Sequence, residues 1–401
     1  MFEEFGGVQQ QVIHLHDGLV KRGHSVKIIT PKPAGFKGQV PKDYILLGTS
    51  AKFNPGIATT GTWTFDINGD DVKQVLEDEK FDVIHFHEPW APILARQILQ
   101  YSSSAHVGTF HANLTDSVAA KSLVNMFIPY GRSIGEKMHV LTAVSPAPAS
   151  VLFDKSNDNH DHLVENIKFI PNGIDLGLYK PLKKRRPLNG RGTKTIVFVG
   201  RLDKRKGVDA LIKAYAELVV KMPEVHLVIA GNGSRRYNLE QQVKSLDLKN
   251  VHFAGFVSEE EKRRLMGNAD VVCSPAMYGE SFGIVLIEAM AMGAPLIAGN
   301  NSGYVNVMDG HGRLGLIDAE ATSDFANRLA VFLSDEAVRR LMRDWELSEV
   351  KKYDYPKVID QYEAAYKEAV RLMHKESARN AETRNGKKRG VIRRIFVRRH
   401  A

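Results

Sequence analysis

The chain has 401 residues, 43% of them hydrophobic, which suggests two or three domains with full cores. Its single cysteine, Cys273, excludes an internal disulfide and favours a reducing compartment such as the cytoplasm. The net charge of +9 comes mainly from residues 384–401, which hold eight Arg or Lys and no acidic residue and leave 47 basic against 46 acidic residues elsewhere. A body so close to neutral argues against an enzyme of nucleic acids, whose folded part usually carries a basic groove or face.

Helix and strand patterns alternate along the first half of the chain, which predicts an α/β fold with parallel sheets. The predicted elements are a helix over 8–22, strands over 25–30 and 82–87, a helix over 91–100, a strand over 106–110, a helical region over 115–137, and strands at 140–144 and at the start of "IKFIPNGID". The first helix follows the Gly-Gly pair of "FGGVQ". Too little chain precedes that pair for the strand that a β-turn-α-β unit would place there.

The segment "PLKKRRPLNGRGTK" at 181–194 is rich in Pro, Gly and charge and is interpreted as a linker. A second α/β series follows it, with strands over 195–200, 225–231, 251–255, 271–275 and 295–299, helices over 207–221, 234–246, 258–267 and 283–292, and final helices over 321–333, 335–343 and 356–373. The predicted parts are doubly wound domains at 1–180 and 195–350, a helix within 351–375 that packs back toward the first domain, and a basic tail at 376–401. Two such domains bind ligands at the carboxyl ends of their strands, and face to face they would enclose one deep cleft.

"GRLDKRKG" at 200–207 lies between a predicted strand and a predicted helix. It concentrates Arg201, Lys204, Arg205 and Lys206 where a helix N-terminus also points, and this arrangement suits a phosphate or diphosphate. The alternative is a charged loop that only contacts solvent.

"YGESFGIVLIEAM" at 278–290 is the most informative stretch. Glu280 stands between Gly279 and Gly283, and the helix that opens at Gly283 has free N–H groups for diphosphate oxygens. Glu280 is therefore expected in the cleft. Glu288, two turns along, is placed to accept hydrogen bonds from a ribose diol. The alternative is two glutamates on a helix surface.

Several histidines are candidate site residues. His111, in "VGTFHAN", follows a strand and could face the cleft, although a structural histidine satisfied by hydrogen bonds is an open alternative. In "HFHEP" we expect His85 and His87 to face opposite sides of their strand and so not to share a metal. "NDNHDH" at 157–162 is a polar loop far from the strand ends, and no Asp-x-Asp occurs, so neither a metal nor a cofactor is expected and the basic cluster would neutralise a diphosphate.

Together these motifs resemble family 4 of the retaining glycosyltransferases, which have the two-domain GT-B fold. The similarity runs from Gly6 to about Arg371 and rests on the stretches "GGVQQQVIHLHDGLVKRGHSV", "FDVIHFHEPWAP", "GTFHAN", "IPNGID", "VFVGRLDKRKG", "LVIAGNG", "VHFAGFV" and "GESFGIVLIEAMAMGAPLIAG". The phosphatidylinositol α-mannosyltransferases share "GGVQ", "HEP", "TFH" and "GESFGIVL". The resemblance implies a first strand of about eight residues ahead of the Gly-Gly pair, and we expect the upstream reading frame to encode it.

The resemblance also implies roles at a donor site. Arg201 and Lys206 would carry the diphosphate charge, Glu280 would hold hydroxyls of the transferred sugar, and His111 would contact that sugar from the other domain. The remaining donor contacts would be Gly7, Phe256, Val257, Gly283, Ile284, Val285 and Glu288. Retention would proceed by same-face attack on an oxocarbenium-like centre. The donor stays open between GDP-mannose and a UDP-hexose.

On the acceptor side the resemblance implies Gln9, Trp90, Ala112 and Asp116. The mannosyltransferases typically have Asn, Thr and Lys at the last three positions, and the Lys is thought to meet a lipid phosphate that Asp116 would repel. A lipid-linked acceptor or another polyol is therefore open. Two other functions also remain open: a non-catalytic two-domain binding protein, and a GT-B epimerase or phosphorylase.

The tail "RNGKKRGVIRRIFVRRHA" combines eight cations with Ile392, Ile395 and Phe396 on one side of a helix. Short basic amphipathic segments insert apolar side chains into anionic membranes while their cations meet headgroups. We therefore expect a cytoplasmic protein that attaches peripherally to the inner face of the plasma membrane. A disordered basic tail or a nucleic-acid tether is the alternative, although no nucleic-acid partner is expected.

Overall fold

A computed structural model of the chain describes residues 6–33, 35–53, 61–65, 67–89, 93–113, 129–149, 166–190 and 192–397. Within 51–53, 61–65 and 384–397 the description covers the backbone alone. Trp90, Asp116, the loop 157–162 and most of the helical region expected over 115–137 lie outside the described residues.

The first half of the chain forms two separate sheets. Its strands are β1 (Ile28–Pro33), β2 (Tyr44–Phe53), β3 (Gly61–Phe65), β4 (Val83–His87), β5 (Ala105–Phe110), β6 (Val140–Ala143) and β7 (Lys168–Phe169). Strands β4, β5, β6 and β7 pair in that order and are all parallel, whereas β1 pairs parallel with β2 and β2 antiparallel with β3. Within the described residues, β1 and β4 are therefore both edge strands. The strand expected ahead of the Gly-Gly pair stays a prediction.

Four helices with defined bounds accompany these strands: α1 (Gly7–Lys21), α2 (Gly69–Glu79), α3 (Leu94–Tyr101) and the short α4 (Pro146–Ala149). Sequence patterns predicted α1 and α3 but missed α2, β2 and β3. The start of α2 has a capping signal, because the Asn68 side chain accepts the Asp70 N–H and two acidic residues occupy the first turn.

The second half of the chain forms one parallel sheet. Its strands are β8 (Lys194–Val199), β9 (Val225–Ala230), β10 (Val251–Gly255), β11 (Val271–Ser274), β12 (Leu296–Gly299) and β13 (Leu316–Ile317), in the order β10-β9-β8-β11-β12-β13. The crossover helices are α5 (Val208–Lys221), α6 (Arg236–Ser245), α7 (Glu259–Asn268) and α8 (Ile284–Met292), followed by α9 (Thr322–Ser334) and α10 (Glu336–Glu349). This is the doubly wound order, which reverses direction between β8 and β11. The loops at the carboxyl ends of β8 and β11 hold the basic segment at 200–207 and the Glu280 loop, respectively.

The last helix, α11 (Tyr355–Val397), returns from the second half to the first. It buries Val358, Ile359 and Tyr362 in one apolar cluster with Leu15 of α1 and Val107 of β5. Residues 374–383 of α11 are all exposed, so the helix leaves the body of the protein before the basic segment begins. None of the helices within the described residues combines the length and apolar character needed to cross a membrane.

A buried carboxyl joins α10 to the sheet. Glu346 is fully buried, and its Oε1 accepts the Leu296 N–H at 2.9 Å, while its Oε2 has no hydrogen-bond partner. Burial raises the pKa of Glu346 well above its usual 4.5.

Replacing this carboxyl should change how stability depends on pH. Because the folded state binds the proton more tightly than the unfolded state does, the stabilisation is complete below the unfolded-state pKa and is lost as the pH rises toward the folded-state pKa. Glu346→Gln keeps an acceptor for Leu296 and does not titrate. We therefore expect its free energy of unfolding, from denaturant titrations, to fall less between about pH 5 and about pH 9 than that of the native protein. The exposed Glu336→Gln on the same helix is the control, and equal declines for Glu346→Gln and the native protein would contradict the expectation.

Candidate active site

A carboxylate paired with two cations lies at the centre of the site. Glu280, which is 8% exposed, accepts at Oε1 from Arg205 Nη1 and lies equally close to Lys206 Nζ, at 2.7 Å in both cases. Lys206 is among the donor-site residues that the sequence predicts, whereas the sequence assigns Arg205 only to the basic segment. The loops after β8 and β11 are thereby joined where the sheet reverses direction.

The backbone around Glu280 requires its two glycines. Gly279 has φ of +72° and Gly283 has φ of +100°, in the left-handed region that side chains other than glycine rarely adopt. A Cβ on Gly283 would also lie 2.7 Å from the ring of the buried Tyr304. Arg205 Nη1 donates to the Gly279 carbonyl at 3.0 Å, so one guanidinium holds both the loop and its carboxylate.

The other cations of the "GRLDKRKG" segment have a different environment. Arg201 is 55% exposed at its side chain and pairs with Asp203 at 3.3 Å rather than with Glu280. Lys204 is also exposed. The segment and Glu280 together carry four cations and two carboxylates, and Arg201, Arg205 and Lys206 pair with those carboxylates. The surplus positive charge favours an anionic ligand.

Two helix N-termini meet beside this charge cluster. Gly7 begins α1 and Ile284 begins α8, and a Cβ on Gly7 would lie 3.1 Å from Ile284 Cδ1. Gln9 is exposed on the first turn of α1, and Val285 is half-buried beside Ile284. The N–H groups of both helix starts carry partial positive charge, which adds to that of the basic segment.

Glu288 lies on α8 in a second buried ion cluster. Its Oε1 accepts from Lys262 Nζ at 2.7 Å and from the Tyr179 hydroxyl at 3.2 Å. Lys262 and the Tyr179 hydroxyl also bind Glu259. Burial raises the pKa of Glu288, and the nearby Lys262 opposes that effect.

Phe256 and Val257 follow β10 at the carboxyl edge of the second-half sheet, the edge that also carries the Glu280 loop. Phe256 is 87% exposed, which is unusual for a large apolar side chain, whereas Val257 packs against the core of the second half. An exposed aromatic ring at a strand's carboxyl end offers a flat apolar surface to a ligand.

The first half of the chain contacts the Glu280 loop through Asn113, two residues beyond His111. The Asn113 N–H donates to Ser281 Oγ at 2.9 Å, and its side-chain amide donates to the Glu280 carbonyl at 3.2 Å and to Ser302 Oγ at 2.9 Å. Ser145, after β6, donates to the Ser281 carbonyl. The carboxyl ends of the β4–β7 sheet and of the second-half sheet therefore converge on one loop.

The expectation that His85 and His87 face opposite sides of their strand is wrong. Side chains at positions i and i+2 of a strand share a face, and the two ring centroids are 4.1 Å apart. His87 Nδ1 in turn lies 2.9 Å from His111 Nε2. Burial lowers the pKa of His87 to about 4 and that of His111 well below its ordinary value.

The loop around His111 is tied to the end of β4. The His111 and Ala112 N–H groups both donate to Glu88 Oε1. Among the described residues, no three His, Cys, Asp or Glu side chains are grouped so that they could hold a metal ion. The expectation of metal-independent chemistry stays a prediction.

Comparison with known proteins gives the family. Residues 5–178 match Glycosyltransferase Family 4, and residues 180–346 match Glycosyl transferases group 1. The phosphatidyl-myo-inositol mannosyltransferase of Mycolicibacterium smegmatis is 30% identical over 91% of each chain, and that of Mycobacterium tuberculosis is 32% identical over 91% of this chain and 94% of the relative.

The chain belongs to glycosyltransferase family 4. Its fold is similar to sucrose-phosphate synthase of Thermosynechococcus elongatus, with a TM-score of 0.71 at 22% identity over 90% of this chain and 93% of the other. It is also similar to Anabaena HepE in complex with UDP and glucose, with a TM-score of 0.69 at 19% identity over 90% and 95%. The GT-B fold and the glycosyltransferase class implied by the sequence motifs are thereby confirmed.

Sequence reasoning missed several polar residues around the glycosyltransferase cleft. They are Asn113, Ser145, Tyr179, Lys262, Ser281 and Ser302. Asn113 and Ser281 belong to the motifs "GTFHAN" and "GESFG", so the sequence could have predicted them as site residues. Lys262 and Tyr179 lie in no motif, and only the fold brings them to Glu288.

Replacing Gly283 should destabilise the protein through both backbone strain and a clash. We expect Gly283→Ala to lower the free energy of unfolding by about 2–4 kcal/mol, because it adds overpacking against Tyr304 to the cost of a left-handed alanine. Gly190→Ala is a matched control, since Gly190 has φ of +99° with no heavy atom within 4 Å of its ideal Cβ, and should cost about 1–2 kcal/mol. Denaturant titration measures both, and an equal loss would exclude the clash.

Proposed function

We propose that this glycosyltransferase moves a hexose, with mannose favoured, from a nucleoside-diphosphate sugar to a lipid-linked or polyol acceptor, with retention of anomeric configuration and without a metal. The observation that carries the proposal is the Glu280 carboxylate held by Arg205 and Lys206 beside the start of α8. A carboxylate there can accept hydrogen bonds from sugar hydroxyls. The surrounding cations and N–H groups suit the diphosphate.

The donor diphosphate is proposed to lie between the basic segment and the two helix N-termini. Arg201 has an exposed side chain, and on the same loop Lys206 Nζ lies 2.7 Å from Glu280; both cations are proposed to bind phosphate oxygens. The α8 N-terminus, at Gly283 to Val285, and Gly7 of α1 supply backbone N–H groups. Cations and N–H groups in these positions would take the part that a divalent metal has in other diphosphate sites.

The proposed reaction is a same-face displacement. The bond from the sugar C1 to the diphosphate oxygen breaks, and a bond from the acceptor oxygen to C1 forms on the same face. The acceptor proton passes to the departing phosphate oxygen. Negative charge develops on that oxygen, so Arg201 and Lys206 stabilise the transition state where the charge appears, each by a few kcal/mol.

The sugar and the nucleoside are proposed to be held by different carboxylates. Glu280 accepts from sugar hydroxyls, and His111 approaches the same sugar from the first half. Glu288 accepts from the ribose, with Lys262 and Tyr179 fixing its orientation. Phe256 and Val257 are proposed to contact the base, and HepE, whose structure holds UDP, supports uridine as one candidate base.

The acceptor is proposed to approach from the side of Gln9 and Ala112. The mannosyltransferase relatives support an inositol lipid by their names. Against a phosphorylated lipid stands Asp116, whose charge would repel a lipid phosphate. A neutral glycolipid or a free polyol therefore remains within the proposal, and a peripheral attachment at the cytoplasmic face of a membrane would give access to the lipid.

Transfer from a nucleotide sugar tests the proposed function directly. A screen of GDP- and UDP-hexoses by thermal shift should find a donor that raises the melting temperature, because a ligand at 100 times its dissociation constant adds about 2.7 kcal/mol. Nuclear magnetic resonance of the glycoside formed from that donor should show the donor's anomeric configuration. Binding without transfer to any lipid or polyol would favour a non-catalytic protein, and an inverted product would exclude retention.

Removing the cations should weaken diphosphate binding. We expect Lys206→Ala to raise the dissociation constant for the free nucleoside diphosphate about 10- to 100-fold, because a charge-assisted hydrogen bond is lost. Arg201→Ala should act in the same direction with a smaller effect, since that side chain is more exposed. Calorimetric titration without added metal measures both.

Lys204→Ala is the matched control for these variants. It removes the same charge from the same turn at an exposed position, and it should change the dissociation constant less than about 3-fold. Unchanged affinity in both Lys206→Ala and Arg201→Ala would contradict the placement of the diphosphate.

Deleting residues 384–401 should release the enzyme from anionic vesicles while transfer to a soluble acceptor continues. Cations near an anionic surface contribute about 1 kcal/mol each, and α11 has left the body before this segment begins. Vesicle flotation measures attachment. Replacing Ile392, Ile395 and Phe396 by Ser keeps every charge and should weaken attachment less than the deletion does. Equal flotation with and without the tail would defeat the expectation.

A further inference from the structure

We propose that His87 and Glu88 are positioning residues for His111, with His87 fixing its ring and Glu88 fixing its backbone. The inference rests on the proposed function in one respect, namely that His111 contacts the transferred sugar. Its structural part concerns three buried or half-buried side chains at the ends of β4 and β5 and stands on their geometry.

The ring of His111 is fixed by a hydrogen bond to its neighbour. His111 Nε2 and His87 Nδ1 are 2.9 Å apart. Burial lowers the pKa of both imidazoles, so each ring is neutral near pH 7 and carries one proton. A hydrogen bond between two neutral rings needs one donor and one acceptor. The bond therefore couples the tautomer of His111 to that of His87 and, with it, whether His111 Nδ1 can donate or accept.

The ring of His87 contacts His85, the preceding histidine of the same strand. The His85 ring centroid lies 4.1 Å from that of His87 with 38° between the ring planes, and the two His85 nitrogens lie 2.9 Å from the Tyr366 hydroxyl of α11 and 2.6 Å from Thr109 Oγ1. The Tyr362 ring of α11 lies 5.2 Å from the His85 ring. A continuous row of side chains thus connects the last helix to His111.

The backbone of His111 is fixed by the residue after His87. Glu88 Oε1 accepts the His111 N–H at 2.6 Å and the Ala112 N–H at 2.5 Å. The Glu88 N–H donates to the Thr109 carbonyl at 2.9 Å. Glu88 has φ of +58°, which is uncommon for a residue with a side chain and places the carboxylate across the neighbouring loop.

These contacts assign the "HFHEP" motif a positioning role for His111 that the sequence alone did not suggest. Asn113 contacts the Glu280 loop only two residues after His111, so a shift of this segment would move the sugar contact and the junction of the two halves together. Misplacement by about 1 Å can cost a reaction about 100-fold. Two consecutive residues that fix both ring and backbone would prevent such a shift.

The experiment compares His87→Phe with His87→Asn by two measurements. Nitrogen-15 spectra of the imidazoles, with His111 assigned through His111→Asn, report the tautomer. We expect one neutral His111 tautomer in the native protein between about pH 6 and 8 and a mixture of both in His87→Phe, whose kcat should fall about 10- to 100-fold with little change in the donor KM. His87→Asn should recover most of the native kcat, because its amide can keep a hydrogen bond to His111 Nε2 from the position of Nδ1.

His106→Phe is the matched control. His106 is a buried histidine of β5 that bonds to Ser102 rather than to His111, so its loss should leave the His111 tautomer and kcat unchanged. Unchanged His111 spectra and unchanged kcat in folded His87→Phe would overturn the proposal for the ring.

Glu88→Ala and Glu88→Gln test whether Glu88 fixes the backbone of His111. They also serve in place of the two His87 variants if His87→Phe does not fold. The alanine should lower kcat about 10-fold, whereas the glutamine keeps an acceptor for both N–H groups and should retain most activity. Equal rates for the two variants would overturn this part. If no donor supports transfer by the native protein, the proposed function fails, while the His111 spectra still decide whether His87 sets the tautomer.

Discussion

The structure of the site depends on one interaction, the pairing of the Glu280 carboxylate with Arg205 and Lys206. Removing a carboxylate from water is costly unless cations and hydrogen bonds compensate, and here two cations do so at 2.7 Å. The pairing ties the turn after β8 to the loop after β11. Asn113 extends the connection to the first half of the chain. A ligand at this loop would therefore meet groups from the β4–β7 sheet and from the sheet of the second half that are already held in position.

The backbone conformation of the Glu280 loop explains why it has glycine on both sides of the carboxylate. With φ of +72° at Gly279 and +100° at Gly283, the chain turns sharply enough to start α8 beside the carboxylate. The helix start, the cations and the carboxylate then lie within one small region. The cations and the helix start would stabilise the charge that develops on a departing phosphate, and the carboxylate would bind hydroxyls of the sugar. A glycosyl transfer needs both kinds of group within a few ångströms of each other.

Sequence patterns predicted the second half of the chain well, because its buried parallel strands are continuous apolar runs separated by helices with clear period. They were less informative in the first half, where β2 and β3 form an antiparallel pair with mixed composition. At the site, the motifs singled out Glu280 and Lys206, and the fold brings the two side chains to 2.7 Å from each other. It could not predict that Lys262 and Tyr179 bind Glu288, since those contacts join residues 26 and 109 positions away. The expectation for His85 and His87 was wrong because it misapplied the strand period, which places side chains at i and i+2 on one face.

The most direct measurement is the rate of sugar transfer by Glu280→Ala compared with the native enzyme, with circular dichroism to confirm that the variant is folded. If Glu280 holds the transferred sugar, the rate should fall at least about 100-fold, the size of the loss expected when a preorganised polar contact to the reacting group is removed. Glu240→Ala, which removes a half-exposed carboxylate paired with Arg236, should transfer at the native rate. Near-native transfer by folded Glu280→Ala would contradict the account.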